Sequence, residues 1–338
     1  MENIVSSLNS IVWSYALVWT CLGVGIYFSL RTRFSQLRNI KEMVALLFGG
    51  QKSDKGISSF QGFCTALAGR IGTGNIAGVA TAIAWGGEAT FGGILGSTIA
   101  WGVKRSVYSN EAGQGTGPQA SSAAEVSHPA KQGFVQAFSV YVDTLFVCSA
   151  TGFMIMMTGS YNTYYEGSEK VIVENLPQLG IPDIGPAYTQ HAVDTLIPGF
   201  GSAFVAVALF FFAFTTLMAY YYIAEVNLTY LVKKFNKGNS SETATNILRF
   251  VILFMTAYGC IKSAALAWAM GDLGVGLMAW LNLIAIALLS NIVIKCFKDY
   301  ERQMKLGIPR DEITFDPTPL GIKNATFWED RVANSQNK

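Results

Sequence analysis

Catalytic chemistry has little to work with in this sequence. Histidine occurs only twice in 338 residues, at His128 and His191, neither of them near a serine or cysteine in a nucleophile context. There is no Walker phosphate loop, no HExxH pair and no pair of intramembrane aspartates, so the residues support no enzyme. Charge is also scarce. Asp, Glu, Lys and Arg make up 14% of the chain, where a soluble domain carries about 25%. A net charge of +2 leaves no basic surface for nucleic acid. The five cysteines, Cys21, Cys64, Cys148, Cys260 and Cys296, lie mostly in apolar runs without metal-ligand spacing and read as small core residues. The first ten residues lack both a basic region and a cleavage site, so the first apolar run is expected to be a retained span rather than a signal peptide.

What is present is hydrocarbon. Apolar residues make up 51% of the chain and the mean hydropathy is +0.34, which points to an all-α polytopic membrane protein. Apolar runs place spans at 11–30, 58–86, 91–107, 134–158, 201–224, 247–270 and 273–295, the last two as a closing hairpin. Arg31, Arg33, Arg38, Lys41, Lys52 and Lys55 follow the first span, and no Lys or Arg precedes it. Lys104 and Arg105 end the third span, and Lys233, Lys234, Lys237 and Arg249 follow the fifth. Lys295, Lys298, Arg302, Lys305 and Arg310 follow the seventh. The loop 159–195 holds five acids against Lys170 alone. The positive-inside rule then puts the N-terminus outside and the C-terminus in the cytoplasm of a plasma-membrane protein. The polar segment after Asp299 is expected to be a cytoplasmic tail.

The chain is organised around 60–87. This run is long enough to cross a bilayer, but Gly69-Arg70-Ile71-Gly72-Thr73-Gly74-Asn75 interrupts it halfway. Three glycines in seven residues make a poor helix interior, and in hydrocarbon a broken helix survives only where its freed backbone groups face protein or a polar cavity. A helix restarting near Asn75 would aim free N–H groups at the membrane's middle, which suits a carboxylate. The carbonyls before the break suit a small cation. Two plainer readings compete. Gly72–Ala77 also fits G-x-G-x-x-A, but no strand precedes it and no acid follows at the required distance. Gly74 and Gly78 form a GxxxG pair that lets helices approach closely. That role is compatible with a site but leaves the polar residues unexplained.

Ionisable and hydroxyl groups inside spans are the next candidates. Asp143 can bind a cation or carry a proton, or it can be paired structurally with Arg70 or Lys262. Thr215 and Thr216 can ligate Na⁺ through oxygen, or bond back to their own helix. Trp268, near Asp272, can wall a pocket or belong to the interfacial aromatic belt. Glu111 and Glu225 sit near membrane ends, where a solvated role is usual. The segment 109–118 is either a re-entrant or interfacial segment or a plain cytoplasmic loop.

Four stretches, 66–84 (ALAGRIGTGNIAGVATAIA), 101–134, 211–228 (FFAFTTLMAYYYIAEVNL) and 266–290, together resemble the alanine or glycine:cation symporter family. This family is also called the sodium:alanine symporter family. The resemblance implies the inverted-repeat fold of the leucine-transporter type behind one extra helix. It also implies Na⁺-coupled uptake of a small neutral amino acid, alanine or glycine, with no other cofactor. By that resemblance Gly72, Thr73, Gly74, Asn75, Gly92, Gly93 and Trp268 would contact substrate, and Ala68, Ile71, Thr215 and Thr216 would hold Na⁺. One departure is large. Family members carry about four more spans between the GTGN helix and the FGG helix, whereas Ala84-Trp85-Gly86-Gly87-Glu88-Ala89 here runs straight into Thr90-Phe91-Gly92-Gly93. The expected architecture is therefore an incomplete bundle of about seven spans. It divides into 1–56 (extra span and basic loop), 57–107 (broken helix and remnant of its symmetry partner), 108–298 (remaining bundle) and 299–338 (tail). Expected partners are the amino acid, Na⁺ and membrane lipid, with an oligomer or a complementing fragment in reserve. The alternative is an internally truncated, non-transporting remnant that acts as a membrane structural or interacting protein.

Overall fold

Length decides which helices can cross a bilayer. The computed structural model describes residues 2–49, 56–86, 91–165, 168–235, 241–262 and 264–336. Five of the described helices are long and apolar enough to span: Ile4–Arg31, Pro129–Met157, Gly201–Phe235, Glu242–Ile261 and Leu266–Lys305. The chain is thus a multi-pass, predominantly helical membrane protein. The first span is α1 (Glu2–Val12) and α2 (Tyr15–Arg31), bent at Trp13 and Ser14. Short α3 (Ser35–Arg38) and α4 (Ile40–Phe48) follow.

The 58–86 segment does not form one helix. It begins with a capping box: Ser58 Oγ accepts from the Gln61 N–H at 3.2 Å, and Gln61 Oε1 accepts from the Ser58 N–H at 2.8 Å. Helix α5 (Ser59–Arg70) stops where Ile71 and Gly72 turn extended. A single 3₁₀ turn, Thr73–Asn75, leads into α6 (Ala77–Gly86). The turn expected at 86–90 lies outside the described residues from 87 onward, as do Lys52, Lys55 and Lys237. Helix α7 (Phe91–Tyr108) packs against α6.

Next, α8 (Thr116–Ser121) folds back against α5 and α12 (Gly201–Phe235). Its approach, Ser109–Thr116, buries Ser109, Asn110, Glu111, Gln114 and Thr116. The polar groups of 109–118 are therefore packed inside the protein rather than solvated. Glu111 is 4% exposed, which corrects its expected solvated role. Helix α9 (Pro129–Tyr141) passes through a π-helical turn, Val142–Cys148, into α10 (Ser149–Met157). The acidic loop holds an antiparallel hairpin, β1 (Asn162–Tyr164) with β2 (Val171–Glu174), and α11 (Pro186–Leu196). Asn162 pins this end, accepting from the Leu176 N–H at 2.7 Å and donating to the Leu179 carbonyl at 2.9 Å.

The closing helices differ from the expected hairpin. Helix α13 (Ser241–Ile261) lies along α12, while α14 (Ala264–Lys305) packs on α1, α2, α7 and α9. The chain breaks near Ile261–Ala264, not at 270–273. Gly271 and Gly276 stay helical because they are contact points: a Cβ on Gly271 would meet the Tyr108 hydroxyl at 2.9 Å, and one on Gly276 would collide with Val12. At about 1.5 Å per residue, the 42 residues of α14 outrun a hydrocarbon core of about 30 Å, so its basic end projects beyond the bilayer.

The last segment, expected to be a loose tail, packs into this basic end. Ile313 and Phe315 are buried, Arg310 pairs with Glu42 at 2.8 Å, and α15 (Thr326–Gln336) is tied by Arg331 Nη1 donating to the Val126 carbonyl at 2.7 Å. Met43, Leu47, Phe63, Phe134, Tyr300 and Ile313 form the core there.

His128 is buried in the same region and caps α9. Its Nδ1 accepts from the Ala130 N–H at 3.1 Å, which leaves Nε2–H to donate to Asp299 at 3.4 Å. Burial pushes the imidazole down to about 4 from 6.5. The unfolded chain therefore takes up a proton between pH 6.5 and 4 that the folded chain refuses. This contribution is intact above pH 6.5 and is lost as pH falls towards 4, reaching at most about 3 kcal/mol. The thermal midpoint in detergent should fall across that window, and His128→Gln should flatten the fall.

Candidate functional site

The break in the central helix brings the chemistry together. Ending α5 at Arg70 frees backbone groups that must find partners inside the membrane. Asn75 takes two of these tasks at once: its Oδ1 accepts from the Gly72 N–H at 3.0 Å, and its Nδ2 donates to Asp143 Oδ1 at 2.5 Å. Both Asn75 and Asp143 are completely buried. Asp143 reaches inward from the π-helical turn, an irregularity often found at functional sites. It is thus held by Asn75 rather than by Lys262, whose ammonium lies 5.5 Å from the Tyr258 ring. Ser109 Oγ adds a longer bond to Asn75 Oδ1 at 3.4 Å.

Arg70 is spent on other partners. Its Nε donates to the Asn110 carbonyl at 2.9 Å, and Nη1 reaches Gln136 Oε1 at 3.3 Å and the Ser139 hydroxyl. It passes Glu111 only at 3.9 Å. Lys104 pairs with Asp272 at 2.6 Å. Arg105, from α7, lies against Gly74 and Gly78 with no carboxylate within ion-pair distance among the described residues. Any Cβ on Gly78 would overlap its guanidinium, so the GxxxG spacing makes room for a half-buried cation.

Two large cavities flank the break. One, of about 1090 Å³, is lined by Thr73, Gly78, Trp85, Arg105, Tyr108 and Trp268, among others. The other, of about 1150 Å³, borders Arg70, Asn110 and Glu111 and is edged by Phe327 and Trp328 of α15. Thr73 and Trp268, both expected to touch substrate, line the first, and the Trp268 ring lies tilted against Tyr108 with centroids 5.6 Å apart. Gly72, Gly74 and Asn75 are buried beside it. Among the described residues nothing accepts from the N–H groups of Thr73 and Gly74, whereas those of Asn75 and Ile76 bond to Gly72 and Thr73 carbonyls. Gly92 and Gly93 fall in the first turn of α7, next to the undescribed 87–90.

The two threonines expected to hold Na⁺ part company. Thr216 Oγ1 donates to the Ala68 carbonyl at 3.4 Å and stands where a Cβ on Gly72 would be 2.8 Å away. Thr215, one residue back around the helix, is exposed and bonds back to Phe211 and Phe212 carbonyls at 3.0 and 3.2 Å. Ile71 follows α5 directly in extended conformation. The break therefore brings Thr216 to Ala68 and leaves Thr215 outside. Residue pattern gives Arg105 and Glu111 a solvated place, because a basic pair at a span end and an acid in a glycine-rich loop look exposed until the fold draws them in.

Long apolar helices around a discontinuous helix, with buried charge at its break, define the class: a polytopic helical membrane protein with a polar interior. The profile of the sodium:alanine symporter family matches residues 1–91 and 88–314, and the chain belongs to that family. Its members are transporters rather than enzymes. The chain is 38% identical to a putative sodium/proton-dependent alanine carrier of Bacillus subtilis (strain 168). That alignment covers all of both chains but runs over 493 positions, against 338 residues here. It is 54% identical over 255 residues to a sodium/proton-dependent alanine carrier of Bacillus sp. (strain PS3), covering 75% of this chain and 55% of that one. A sodium/alanine symporter of Methanococcus maripaludis is 32% identical over 219 residues, 64% of this chain and 43% of that one. The chain thus matches about half the length of the latter two. The family profile resumes at residue 88, where its first match is ending, so the shortfall is internal.

Asn75→Ala would orphan the Gly72 N–H and strip a buried carboxylate of its one short side-chain donor. The expected loss is about 3–5 kcal/mol, read as a lowered thermal midpoint in detergent. Adding Asp143→Asn should recover part of it, a non-additivity that marks direct coupling. Thr215→Val should change stability by less than about 0.5 kcal/mol.

Proposed function

We propose that the site is that of a Na⁺-coupled symporter for a small neutral amino acid, alanine or glycine. The carrying observation is the pair of free N–H groups, Thr73 and Gly74, at the broken helix beside a cavity walled by Trp268. The amino acid's carboxylate would bond to those groups at the positive end of α6, and Na⁺ would sit against Ala68, Ile71 and Thr216 at the negative end of α5. Anion and cation at facing helix ends neutralise one another, which makes each bind better with the other present. Gly92 and Gly93 would approach the substrate from the symmetry partner.

In this reading the architecture is an incomplete leucine-transporter-type inverted repeat, with seven crossings when the broken helix and α7 are counted. The N-terminus lies outside, and the basic end with its packed tail lies in the cytoplasm. Single cysteines at Ser6 and Lys323 in a cysteine-free background test this: an impermeant maleimide should label the first and spare the second in sealed cells.

A second reading is supported by the size of the cavities. A volume near 1090 Å³ exceeds what closely fitting small-ligand sites of about 300–1000 Å³ enclose, and alanine is far smaller than a drug-sized ligand. Around the break, the wall that should close on substrate is the portion the 493-position alignment has in excess. A carrier works by rocking one repeat against another around a fixed site, and half a repeat has nothing to rock against. The purified chain in proteoliposomes should therefore take up little or no radiolabelled alanine, with or without Na⁺. Co-reconstitution with a polypeptide carrying the absent spans should raise Na⁺-dependent uptake. Robust uptake by the 338-residue chain alone would discard the remnant reading.

A further inference from the structure

The first span ends at Arg31, beside the basic end of α14. Between the two lies a cleft of about 360 Å³, remote from the broken helix. Arg31 and Arg33 line it from the end of α2. Lys298, Arg302 and Lys305 line it from α14, with Glu301 as its one acid. Most of the counter-charge is already taken: Glu301 pairs with Arg38, and Arg302 with Asp299. Arg31, Arg33, Lys298 and Lys305 have no carboxylate within ion-pair distance among the described residues. Four cations brought to one cleft repel one another, and an anion between them would reverse that sign.

The backbone is strained to place one of these cations. Helix α2 closes in a Schellman turn, in which the Arg33 N–H bonds to the Leu30 carbonyl at 3.2 Å and the Phe34 N–H to the Ser29 carbonyl at 2.7 Å. The left-handed residue of such a turn is usually glycine. Here it is Arg33, at φ 54°, and Phe34 follows at 53°. Helix C-termini favour cations, which accounts for Arg31 and Lys305. It does not account for Lys298, two turns inside α14, or for an arginine held in a glycine's conformation.

The walls of the cleft suit a molecule that is charged at one end and apolar along the rest. Phe297 and Leu306 line it together with the cations. Just inside the spans, Leu30 on α2 and Ile292 and Val293 on α14 are exposed, so the cleft opens onto apolar surface that faces hydrocarbon. Exposed Phe34 and Leu37 alternate with Arg33 and Arg38 in the next turn. Apolar and basic side chains mixed in this way belong at a headgroup boundary.

We propose that this cleft binds the phosphate of an anionic phospholipid, with the acyl chains lying along α2 and α14. Arg31 and Arg33 supply planar forks for the phosphate oxygens, and Lys298 and Lys305 supply point charges. Basic residues at a span end attract anionic headgroups in general. Two elements far apart in the chain turn that general attraction into an enclosed site. Such a site is independent of transport, and a chain that carries no alanine would bind lipid equally.

Native mass spectrometry of the purified full chain in mild detergent, titrated with phosphatidylglycerol, phosphatidylcholine or inorganic phosphate, tests this. Phosphatidylglycerol should bind in preference to phosphatidylcholine, and inorganic phosphate at the same concentration should not displace it. Arg33→Gln with Lys298→Gln should weaken phosphatidylglycerol binding roughly thirtyfold. Lys233→Gln with Lys234→Gln removes a basic pair at the end of α12 instead and should leave binding within about twofold. Thermal melts in lipid-free detergent separate loss of lipid from loss of fold, and Lys298→Gln with Lys305→Gln serves where Arg33→Gln disturbs the turn. The proposal is overturned if the cleft variants bind as the parent does, or if the α12 variant loses as much, which would leave only surface charge. It also fails if phosphatidylcholine binds equally well, or if inorganic phosphate displaces the lipid and so marks a site for free anions.

Discussion

Breaking a helix in hydrocarbon creates a debt of unpaired backbone groups, and the rest of this structure is arranged around how Asn75 settles it. One side chain accepts from the Gly72 N–H and donates to Asp143, so a backbone defect on one helix is tied to a buried carboxylate on another. Remove that amide and neither group has a short-range partner. Keep it, and the π-helical turn around Asp143 and the 3₁₀ turn around Gly74 hold each other in place. The N–H groups of Thr73 and Gly74 escape this settlement, and for that reason they remain usable by a ligand.

Charge follows from the same constraint. A charged side chain in the membrane costs about 3 kcal/mol on insertion scales, so Arg70, Arg105, Asp143 and Glu111 can sit around one break only because they share a field. The pairing is loose by design of the contacts: Arg70 satisfies carbonyls and amides first and touches Glu111 last. Loosely paired charges can respond to a passing ion or zwitterion, whereas a tight pair such as Lys104 with Asp272 at 2.6 Å is already committed. The cavities on either side of the break make the same point about shape. Gly69, Gly72 and Gly78 each lie against a polar group from elsewhere in the chain, so the small residues serve close approach to polar side chains rather than helix packing alone.

The interruption of the central helix was legible before any fold was known, because three glycines in seven residues act locally and need no neighbour to disfavour a helix. The long spans were legible for the same kind of reason: apolar length against bilayer thickness. The boundary between the last two helices was not. Gly271, Asp272, Gly274 and Gly276 look like a break in isolation. Tyr108, Trp13 and Val12 pack on two of those glycines and Lys104 pairs with the aspartate, and that packing keeps α14 continuous.

Sequence alone determined what short-range physics can determine: a multi-pass helical protein, a broken central helix, membership of the symporter family, and an internal stretch shorter than its relatives possess. The tertiary structure alone decided which polar groups meet. Thr215 and Thr216 are neighbours in sequence, yet a rotation of about 100° per residue sends one to the exterior and the other to Ala68. Glu111 sits in a loop whose composition reads as solvent-exposed, and it is buried only because α8 folds back onto α5. The phase of a helix against its partner and the depth of a loop are both set by contacts between residues far apart in the chain. No local pattern encodes them.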